Sequence, residues 1–322
     1  MLLAAATLLR TPIRRPMASA TPRAFPHLCA PLSAAANRQP STPRTPLPDG
    51  LLLVHKPSDW TSQDVVGKIR GVLEKKLRDE GHRFGRRSRL KVGHGGTLDP
   101  MATGLLVVGV GPGCRRLQQY LGGAKAYAAC GQLGSEKDTQ DSQGSTTATA
   151  PHDHVTLEQL TAAAASLTGN ILQRPPIYSA LRRDGKRLHE LARAGEIRPE
   201  EVEPRPVTVY RLDVRDFDAS SGSFRLGVRC GGGTYVRALI EDIGRAVGSA
   251  AHMTMLERTQ HGPFCSDEEV QNARNEGRAV AAGVRPVQES EFGDASRLLA
   301  ALEEAGHALE ELQLTSDTAD SH

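Results

Sequence analysis

The sequence predicts an α+β fold, in which strands and helices mix without a regular βαβ rhythm. Segments that alternate apolar and polar residues, as half-buried strands do, are interspersed with segments whose apolar residues recur at helical spacing. The 322 residues suffice for one large domain or two ordinary ones. No apolar run approaches the roughly 18–20 residues that a membrane helix requires, so the sequence argues against an integral membrane protein.

The predicted elements follow one another from Leu51 onward. Residues 51–55 form a short strand, and Thr61 with Asp64 predicts a capping box that opens a helix ending near Gly81. Further strands are predicted over residues 104–110, 125–133, 205–217 and 224–230. Further helices are predicted over residues 156–167, after the glycines at 231–233, and over residues 296–312.

Formal charge is distributed unevenly along the chain. Residues 1–48 carry six Arg and no acid, which gives +6, whereas residues 265–322 carry four basic and thirteen acidic side chains, which gives −9. Residues 49–264 hold thirty basic and twenty-four acidic side chains, a balance of +6. This modestly basic middle favours a polyanionic partner.

The first 48 residues have the composition of a targeting segment. They are rich in Arg, Ser, Ala and Pro, and a short apolar stretch is followed by Arg14 and Arg15. We expect import into a mitochondrion or another organelle, and a disordered tail without an address is the alternative. A start at Met17 would remove most of this signal and give a nuclear or cytoplasmic pool.

The cysteines give no sign of a disulfide scaffold or a metal knuckle. The chain has five of them, widely spaced and without a C-x-x-C pair. A reducing compartment is therefore expected.

The densest chemical cluster is the segment 93–104, GHGGTLDPMATG, with four glycines in twelve residues. Such a density indicates tight turns or close approach to a ligand. It holds His94 and Asp99, and Pro100 disfavours a helical conformation at Asp99. The G-K-[ST] of a P-loop is missing, and one His with one Asp is too few ligands for a metal. These residues alone leave two interpretations open, a functional loop and a glycine turn in which Asp99 caps backbone amides.

Segment 93–104 closely resembles the signature of the TruB family of pseudouridine synthases, and other blocks resemble that family in the same order. These blocks are LVHKP at 53–57, KAY at 125–127, GQLGSEKDTQD at 131–141, PPIYSAL at 175–181, RPVTVY at 205–210, CGGGTYVR at 230–237 and LERT at 256–259. The resemblance covers about residues 51–265. It implies the pseudouridine synthase fold, a mixed and mainly antiparallel sheet flanked by helices, with a catalytic cleft.

The resemblance also implies an isomerase that acts on RNA without a cofactor or a metal. The family breaks the N-glycosidic bond of uridine, turns the base and rejoins it through carbon. We expect a synthase specific for uridine 55 in the T loop of tRNA, with some mRNA stem-loops as secondary targets. A tRNA-folding chaperone in which catalysis is dispensable is the rival interpretation. A pure binder has no need of a carboxylate in a pocket that meets RNA, so Asp99 favours the enzyme.

By resemblance, Asp99 is the catalytic aspartate. A free Asp, with a pKa near 3.9, is already ionised at neutral pH, and Arg237 is the family's partner that would keep it ionised in a closed pocket. Tyr127 matches the tyrosine that stacks on the flipped base, an interaction worth about 1–3 kcal/mol. The other substrate-binding residues implied by the resemblance are His94, Tyr235 and Leu256. Core packing is the alternative role for Tyr127 and Leu256.

Two basic segments and the chain after residue 265 complete the prediction. The stretch 173–187 resembles the flexible segment that closes over the RNA stem-loop, and a solvated loop is the alternative. The stretch 82–93 is either a lineage-specific loop or an extra RNA contact. Residues 266–322 are acidic, partly helical and unlike the PUA domain of guide-RNA-dependent relatives. We therefore expect a tail over 1–48, a catalytic domain over 49–265 and an extension over 266–322, in a monomer that needs no guide RNA and no membrane.

Overall fold

The computed structural model describes residues 45–319, with side chains described through Leu314. The targeting segment predicted over residues 1–48 lies almost wholly outside the described residues, so an organelle address stays a prediction from composition. Among residues 45–319 no helix is long and apolar enough to cross a membrane.

The predicted strands and helices are found within a few residues of their expected bounds, with several additions. The strands are β1 Gly50–Lys56, β2 Val92–His94, β3 Thr103–Val110, β4 Lys125–Leu133, β5 Ser135–Lys137, β6 Thr146–Thr149, β7 Gly169–Gln173, β8 Arg182–Arg183, β9 Lys186–Arg187, β10 Arg205–Asp218, β11 Ser223–Cys230, β12 Ala251–His261 and β13 Phe264–Cys265. The helices are α1 Ser62–Asp79, α2 Leu117–Gly122, α3 Leu157–Ser166, α4 Leu188–Arg193, α5 Val236–Ala246, α6 Asp267–Asn275 and α7 Ala295–Ala319.

A mainly antiparallel sheet of nine strands organises the described part of the chain. Its order is β1-β3-β12-β4-β11-β10-β7, with β2 beside β3 and β13 beside β12. β12 runs parallel to β3 and antiparallel to β4. Helices α3 and α5 cover the β4-β11-β10 half, while α1 and α7 pack against β1 and β3. The α+β prediction and the sheet implied by the resemblance are confirmed.

Helix α1 begins where the sequence predicts. The Thr61 hydroxyl accepts a hydrogen bond from the Asp64 backbone N–H at 3.1 Å, and the Asp64 carboxylate accepts one from the Thr61 N–H at 2.9 Å. These two hydrogen bonds give partners to two backbone N–H groups that would otherwise be unpaired at the start of the helix. The apolar face, centred on Ile69 and Leu73, is buried against the sheet. This cap fixes the start of α1 next to the motif loop at 95–102.

Residues after 265 pack into the same core as the sheet. The Val287 backbone exchanges hydrogen bonds with β1, donating to Leu53 O and accepting from His55 N, both at 3.0 Å. Phe292 and Leu298 are completely buried in the cluster formed by α1, β1 and β3. The acidic composition of this region therefore describes its solvent side, while its apolar side completes the core.

Strand β12, which the sequence analysis did not predict, lies in the middle of the sheet. Two irregularities break its alternation, one between Met253 and Met255 and one between Arg258 and Gln260. In addition, Arg258, Gln260 and His261 are polar yet buried. Buried polar residues and bulges both remove the period-two hydrophobic signal by which strands are recognised.

Gly104 allows β3 and β12 to approach each other at the end of the motif. Its φ is +100°, and a Cβ built there would lie 2.4 Å from the carbonyl oxygen of Arg258 and 2.6 Å from its amide nitrogen. Both the backbone conformation and the available space require glycine. Gly71, on the exposed side of α1, has no atom within 4 Å of an equivalent Cβ.

These two glycines predict opposite responses to the same substitution. Gly104→Ala should lower the free energy of unfolding by more than about 3 kcal/mol, because backbone atoms of β12 cannot move without breaking the sheet. Gly71→Ala should raise it by about 0.5–1 kcal/mol through helix propensity. Urea unfolding of both variants measures the difference, and equal effects of the two substitutions would contradict this account.

Candidate active site

The residues of the motif loop meet other segments at a cleft of about 730 Å³. Its walls come from the start of α1, the motif loop, the loop after β5 and the segment from Tyr178 to Arg193. His94 and Asp99 of the motif and Arg237 of a distant block all line this cleft. The structure therefore brings together three of the six predicted site residues at one surface.

Asp99 and Arg237 form a bidentate ion pair on the cleft wall. The Nε of Arg237 donates to Oδ2 of Asp99 at 2.8 Å, and its Nη2 donates to Oδ1 at 3.2 Å. The Asp99 side chain keeps 30% of its surface exposed, whereas only 4% of the Arg237 side chain is exposed. The carboxylate therefore faces the cleft while its counter-ion is held behind it in a charge-assisted bidentate contact.

Three other groups hold the Arg237 guanidinium. Its Nη1 donates to the Thr139 carbonyl at 2.7 Å, and its Nη2 donates to the Tyr178 carbonyl at 3.1 Å. Asp141, with 9% of its side chain exposed, places Oδ2 3.9 Å from the Arg237 Nε. Since these partners come from different segments, Arg237 is fixed in orientation before any substrate binds.

The loop that carries Asp99 is held from behind by Lys56. This side chain is fully buried, and its ammonium donates to the carbonyls of Pro57 at 2.7 Å, Trp60 at 2.6 Å and Pro100 at 3.0 Å. An ammonium has three protons, so the three carbonyls match its donor capacity. Lys56 thereby ties the residue after Asp99 to the end of β1.

Ser62 makes the second attachment of the same loop. Its Oγ accepts a hydrogen bond from the Leu98 N–H at 2.9 Å and lies 3.3 Å from the Leu98 carbonyl oxygen, to which it donates. The Asp99 carbonyl in turn accepts from the Ala102 N–H at 3.1 Å, which closes a turn around Pro100. Asp99 is therefore anchored on both sides, although it lies outside any strand or helix.

A third network supports the loop that contributes Thr139 and Asp141. The amide of Gln140 donates to the carboxylate of Glu241, which lies one helical turn after Arg237 on α5. Burial raises the pKa of Glu241 to about 7, against the opposing effect of Arg245. Arg245 also donates to both carboxylate oxygens of Glu136, at 2.7 and 3.0 Å. One face of α5 thus fixes both Arg237 and the loop opposite it.

His94 lies at the end of β2, and its Nδ1 accepts a weak hydrogen bond from the Gly96 N–H at 3.4 Å. Burial and the nearby Arg258 guanidinium lower the pKa of His94 below its usual value. The imidazole is therefore neutral at neutral pH. A neutral ring in this position can donate or accept a hydrogen bond but carries no charge into the cleft.

The other predicted site residues do not line the cleft. Tyr127 and Leu256 are 9% and 6% exposed, and both pack in the main core cluster with Leu98. Burial raises the pKa of Tyr127 to about 12. Tyr235 is half-buried, and its backbone pairs with the amide side chain of Gln173 at 2.8 and 3.0 Å. Contact of these three side chains with substrate stays a prediction.

The basic stretch 173–187 divides into two groups in the structure. Arg182 and Arg187 line the cleft. In contrast, Arg174 donates to backbone carbonyls of residues 199–202, and Lys186 pairs with Glu196 at 2.9 Å. Only part of this stretch is therefore available to a ligand in the cleft.

Several residues of the site received no individual role from the sequence. Lys56, Thr139 and Asp141 lie in blocks that resemble the family, yet their composition gave no signal of what they contact. Glu241 follows Arg237 by four positions, and this spacing places both on one helix face. That periodicity was the available signal for Glu241. Among the described residues no group of three or more His, Cys, Asp or Glu side chains is arranged to hold a metal ion.

The burial of Lys56 predicts a specific dependence of stability on pH. Burial lowers the pKa of Lys56 from 10.5 to about 8, so between these values the unfolded chain binds a proton that the folded chain does not. Its contribution to stability is therefore present above pH 10.5 and is lost as pH falls through about 8. The unfolding free energy of the wild type relative to Lys56→Met should rise by about 3 kcal/mol between pH 8 and pH 10.5.

Urea unfolding of both proteins across this pH range tests that prediction. Lys125, whose pKa burial also lowers to about 8, is present in both proteins and cancels in the difference. Lys68→Met, at an exposed position on α1, is the matched control and should give a difference independent of pH. A pH-independent difference for Lys56→Met would contradict the prediction.

Comparison with known proteins identifies the family of this chain. The family model described as "TruB family pseudouridylate synthase (N terminal domain)" matches residues 83–236, and that described as "tRNA pseudouridylate synthase B C-terminal domain" matches residues 237–287. The human protein "Pseudouridylate synthase TRUB1" is 42% identical over 222 residues, which is 68% of this chain and 62% of that protein. The chain thus spans less than two thirds of the human relative's length.

A bacterial relative and one solved structure extend the comparison. "tRNA pseudouridine synthase B" of Corynebacterium efficiens is 42% identical over 69% of this chain and 70% of its own length. The archaeal box H/ACA sRNP Nop10–Cbf5 complex contains a chain that shares the fold, with a TM-score of 0.50 and 24% identity over 80% of this chain and 58% of that one. On these matches, the chain belongs to the TruB family of pseudouridine synthases.

Proposed function

We propose that this chain is a tRNA pseudouridine synthase that isomerises uridine 55 in the T loop, with some mRNA stem-loops as secondary substrates. The observation that carries the proposal is the Asp99–Arg237 pair, whose carboxylate faces a cleft bordered by Arg182 and Arg187. A relative that is 42% identical is named a tRNA pseudouridine synthase. The family and the site therefore support the same reaction.

The reaction is an isomerisation, in which every atom of the substrate is retained. The bond from the sugar C1′ to N1 of uracil breaks, the base turns, and a bond from C1′ to C5 forms. The proton that leaves C5 is matched by the proton that N1 gains, and no electrons are exchanged with another molecule. An ionised carboxylate next to the sugar and base can act on C1′ or on a proton of the substrate.

Arg237 acts in this proposal as the positioning residue for Asp99. Its bidentate contact fixes both carboxylate oxygens, and its other hydrogen bonds fix the guanidinium itself. Asp99 therefore loses little further freedom when substrate binds, which lowers the entropic part of the barrier. The buried charge of Arg237 also remains next to Asp99 when RNA closes the cleft and excludes water.

The target base must leave its stack to reach Asp99. Unstacking costs a few kcal/mol, and stacking on the ring of Tyr127, at about 1–3 kcal/mol, would offset part of this cost. Tyr127 lies in the core behind the motif loop, so its ring reaches a base only if the base inserts deeply. Phosphates next to the flipped nucleotide would meet Arg182 and Arg187 at the rim.

The assignment of Asp99 is tested by Asp99→Asn. The amide has the same shape but no negative charge, so pseudouridine formation should fall below detection, while RNA affinity falls little because phosphate contacts and stacking supply most of it. Asp59→Asn is the matched control, because Asp59 lines the same cleft without an ion pair to Arg237. This control should retain activity.

Product can be measured by pseudouridine mapping of T-arm RNA after incubation with each purified variant. Measurable product from Asp99→Asn would overturn the catalytic role of this residue. Bound RNA without product from the wild type would instead favour the rival function, a tRNA-folding chaperone.

A second prediction concerns the size of the substrate. The cleft, of about 730 Å³, is the size of a nucleotide rather than of a folded RNA. We therefore expect that at saturating concentration an isolated T-arm hairpin is modified nearly as fast as full tRNA, without guide RNA, nucleotide or metal. Affinity should fall with salt by roughly 0.7–0.9 log unit per log unit of salt for each phosphate contacted. Turnover that required intact tRNA or a guide-containing particle would contradict this expectation.

A further inference from the structure

A second group of basic side chains lies away from the cleft, on the loop between α1 and β2. We refer to residues 83–87 as the crown of this loop. Arg83, Arg86 and Arg87 are exposed there, and none of them forms an ion pair within the described part of the chain. The neighbouring Arg78 and Arg89 are different, because both lie within ion-pair distance of Glu74, at 3.1 and 3.5 Å. The crown therefore carries three positive charges that the fold itself does not use.

The end of this loop that leads into β2 is attached to α1. Glu74 is buried, and its carboxylate accepts a hydrogen bond from the Leu90 N–H at 3.0 Å as well as from Arg78. Leu90 is itself buried in the core cluster of α1. The chain is thus tied to the helix at the point where it returns to β2.

The crown itself is an ordered turn. The Gly85 N–H donates to the Ser88 hydroxyl at 3.0 Å, and the Ser88 N–H donates to the Gly85 carbonyl at 3.1 Å. The Phe84 ring stacks on His82 with centroids 6.3 Å apart, and the Arg78 guanidinium lies 5.7 Å from the Phe84 centroid. Charges on an ordered turn bind a rigid polyanion with a smaller ordering cost than charges on a free tail.

Helix α1 connects the cleft with this crown. Ser62, its first residue, lines the cleft, and Asp79, its last residue, precedes the loop. At about 1.5 Å per residue the 18 residues of α1 span about 27 Å. This length corresponds to about ten base-pair steps of an A-form RNA stem, at roughly 2.8 Å each.

The exposed side of α1 has open space at two glycine positions, and its exposed acids, Asp64 and Asp79, lie near its two ends. Gly67 and Gly71, one turn apart, are exposed with no atom within 4 Å of a built Cβ. A glycine in a helix interior costs roughly 0.5–1 kcal/mol relative to alanine, and no packing in the fold accounts for either one. Lys68 and Lys75 are exposed on the same helix. A bulky polyanion could therefore lie close to this surface.

We infer that the exposed side of α1 and the crown form a second RNA surface, which binds the phosphate backbone of a stem that extends from the cleft. This inference depends on RNA being the substrate, as proposed above, and adds where its stem lies. Arg83, Arg86 and Arg87 contact phosphates about ten steps from the target nucleotide, and phosphate contacts are independent of sequence. A short hairpin fills the cleft without reaching the crown, whereas a longer stem reaches both.

The test compares two hairpins that share one T loop and have stems of about five and about twelve base pairs, chosen on either side of the estimated reach. The triple variant R83A/R86A/R87A should weaken binding of the long hairpin on the order of tenfold at low salt, and it should lower the salt slope by about 2–3. Binding of the short hairpin should be unchanged, and so should turnover of either hairpin at saturation.

R215A/R225A/R274A is the control, since it removes the same formal charge from exposed positions on β10, β11 and α6. Within the described residues, only Arg215 of these three arginines is paired, with Glu268 at 2.9 Å. This control should weaken binding of the long hairpin much less than the crown variant does. Gly71→Glu is an independent probe and should weaken binding of the long hairpin only, while Gly71→Gln, of similar volume, should have a smaller effect.

Fluorescence anisotropy measures binding separately from pseudouridine formation, so the two proposals can fail separately. Loss confined to the long hairpin supports the second surface even if no product forms, in which case only the catalytic proposal fails. Equal loss for both hairpins, no loss for either, or equal loss in the control would overturn the second surface. The second of these outcomes, unchanged binding of both hairpins, would also favour an acidic protein as the partner of the crown.

Discussion

The buried guanidinium of Arg237 is the constraint on which the rest of the site depends. A cation with only 4% of its side chain exposed must find acceptors within the protein, because its hydration is lost. It finds them in the Asp99 carboxylate and in the carbonyls of Thr139 and Tyr178. The motif loop, the loop after β5 and the segment leading to Arg182 are thereby fixed relative to α5. Removing one partner of such a pair typically costs about 3–5 kcal/mol, so the residues that form the site also support the fold around it.

A second buried cation, Lys56, stabilises the motif loop from its inner side. The glycine-rich motif has little regular structure, and its backbone would otherwise sample many conformations. Lys56 uses three protons on three carbonyls, one of them in the residue after Asp99. Arg237 orients the carboxylate from the side, whereas Lys56 fixes the backbone that carries it. The planar guanidinium suits two carboxylate oxygens and the compact ammonium suits converging carbonyls, so the two positions are not interchangeable.

Much of this arrangement could be predicted from the sequence, for reasons that particular residues make clear. The capping box at Thr61 and the alternation in β4 depend only on residues close together in the sequence, so they can be recognised without knowing the tertiary contacts. Resemblance supplied Asp99 and Arg237, whose contact over 138 positions no periodicity reveals. β12 was missed because Arg258 and His261 are buried, where they form hydrogen bonds to the motif carbonyls of Gly96 and Gly95. Burial of polar residues reverses the pattern by which a strand is recognised. The partners of Lys56 are backbone carbonyls. Every residue has one, so the sequence does not indicate which carbonyls Lys56 contacts.

Charge illustrates the same limit and also bears on the RNA binding proposed for a nearly neutral chain. The net charge of +3 counts every basic residue equally. Many basic residues, however, form ion pairs within the fold, as Lys186 does with Glu196 and Arg211 with Glu276. The electrostatic potential at the protein surface depends on the basic residues that have no acidic partner. In the described part of the chain, Arg182 and Arg187 remain without ion pairs at the cleft, and the crown arginines remain so at the far end of α1. Folding therefore leaves unpaired basic side chains in two places, at the cleft and beyond the far end of α1, a helix about 27 Å long. Such a spacing suits a duplex rather than a single phosphate.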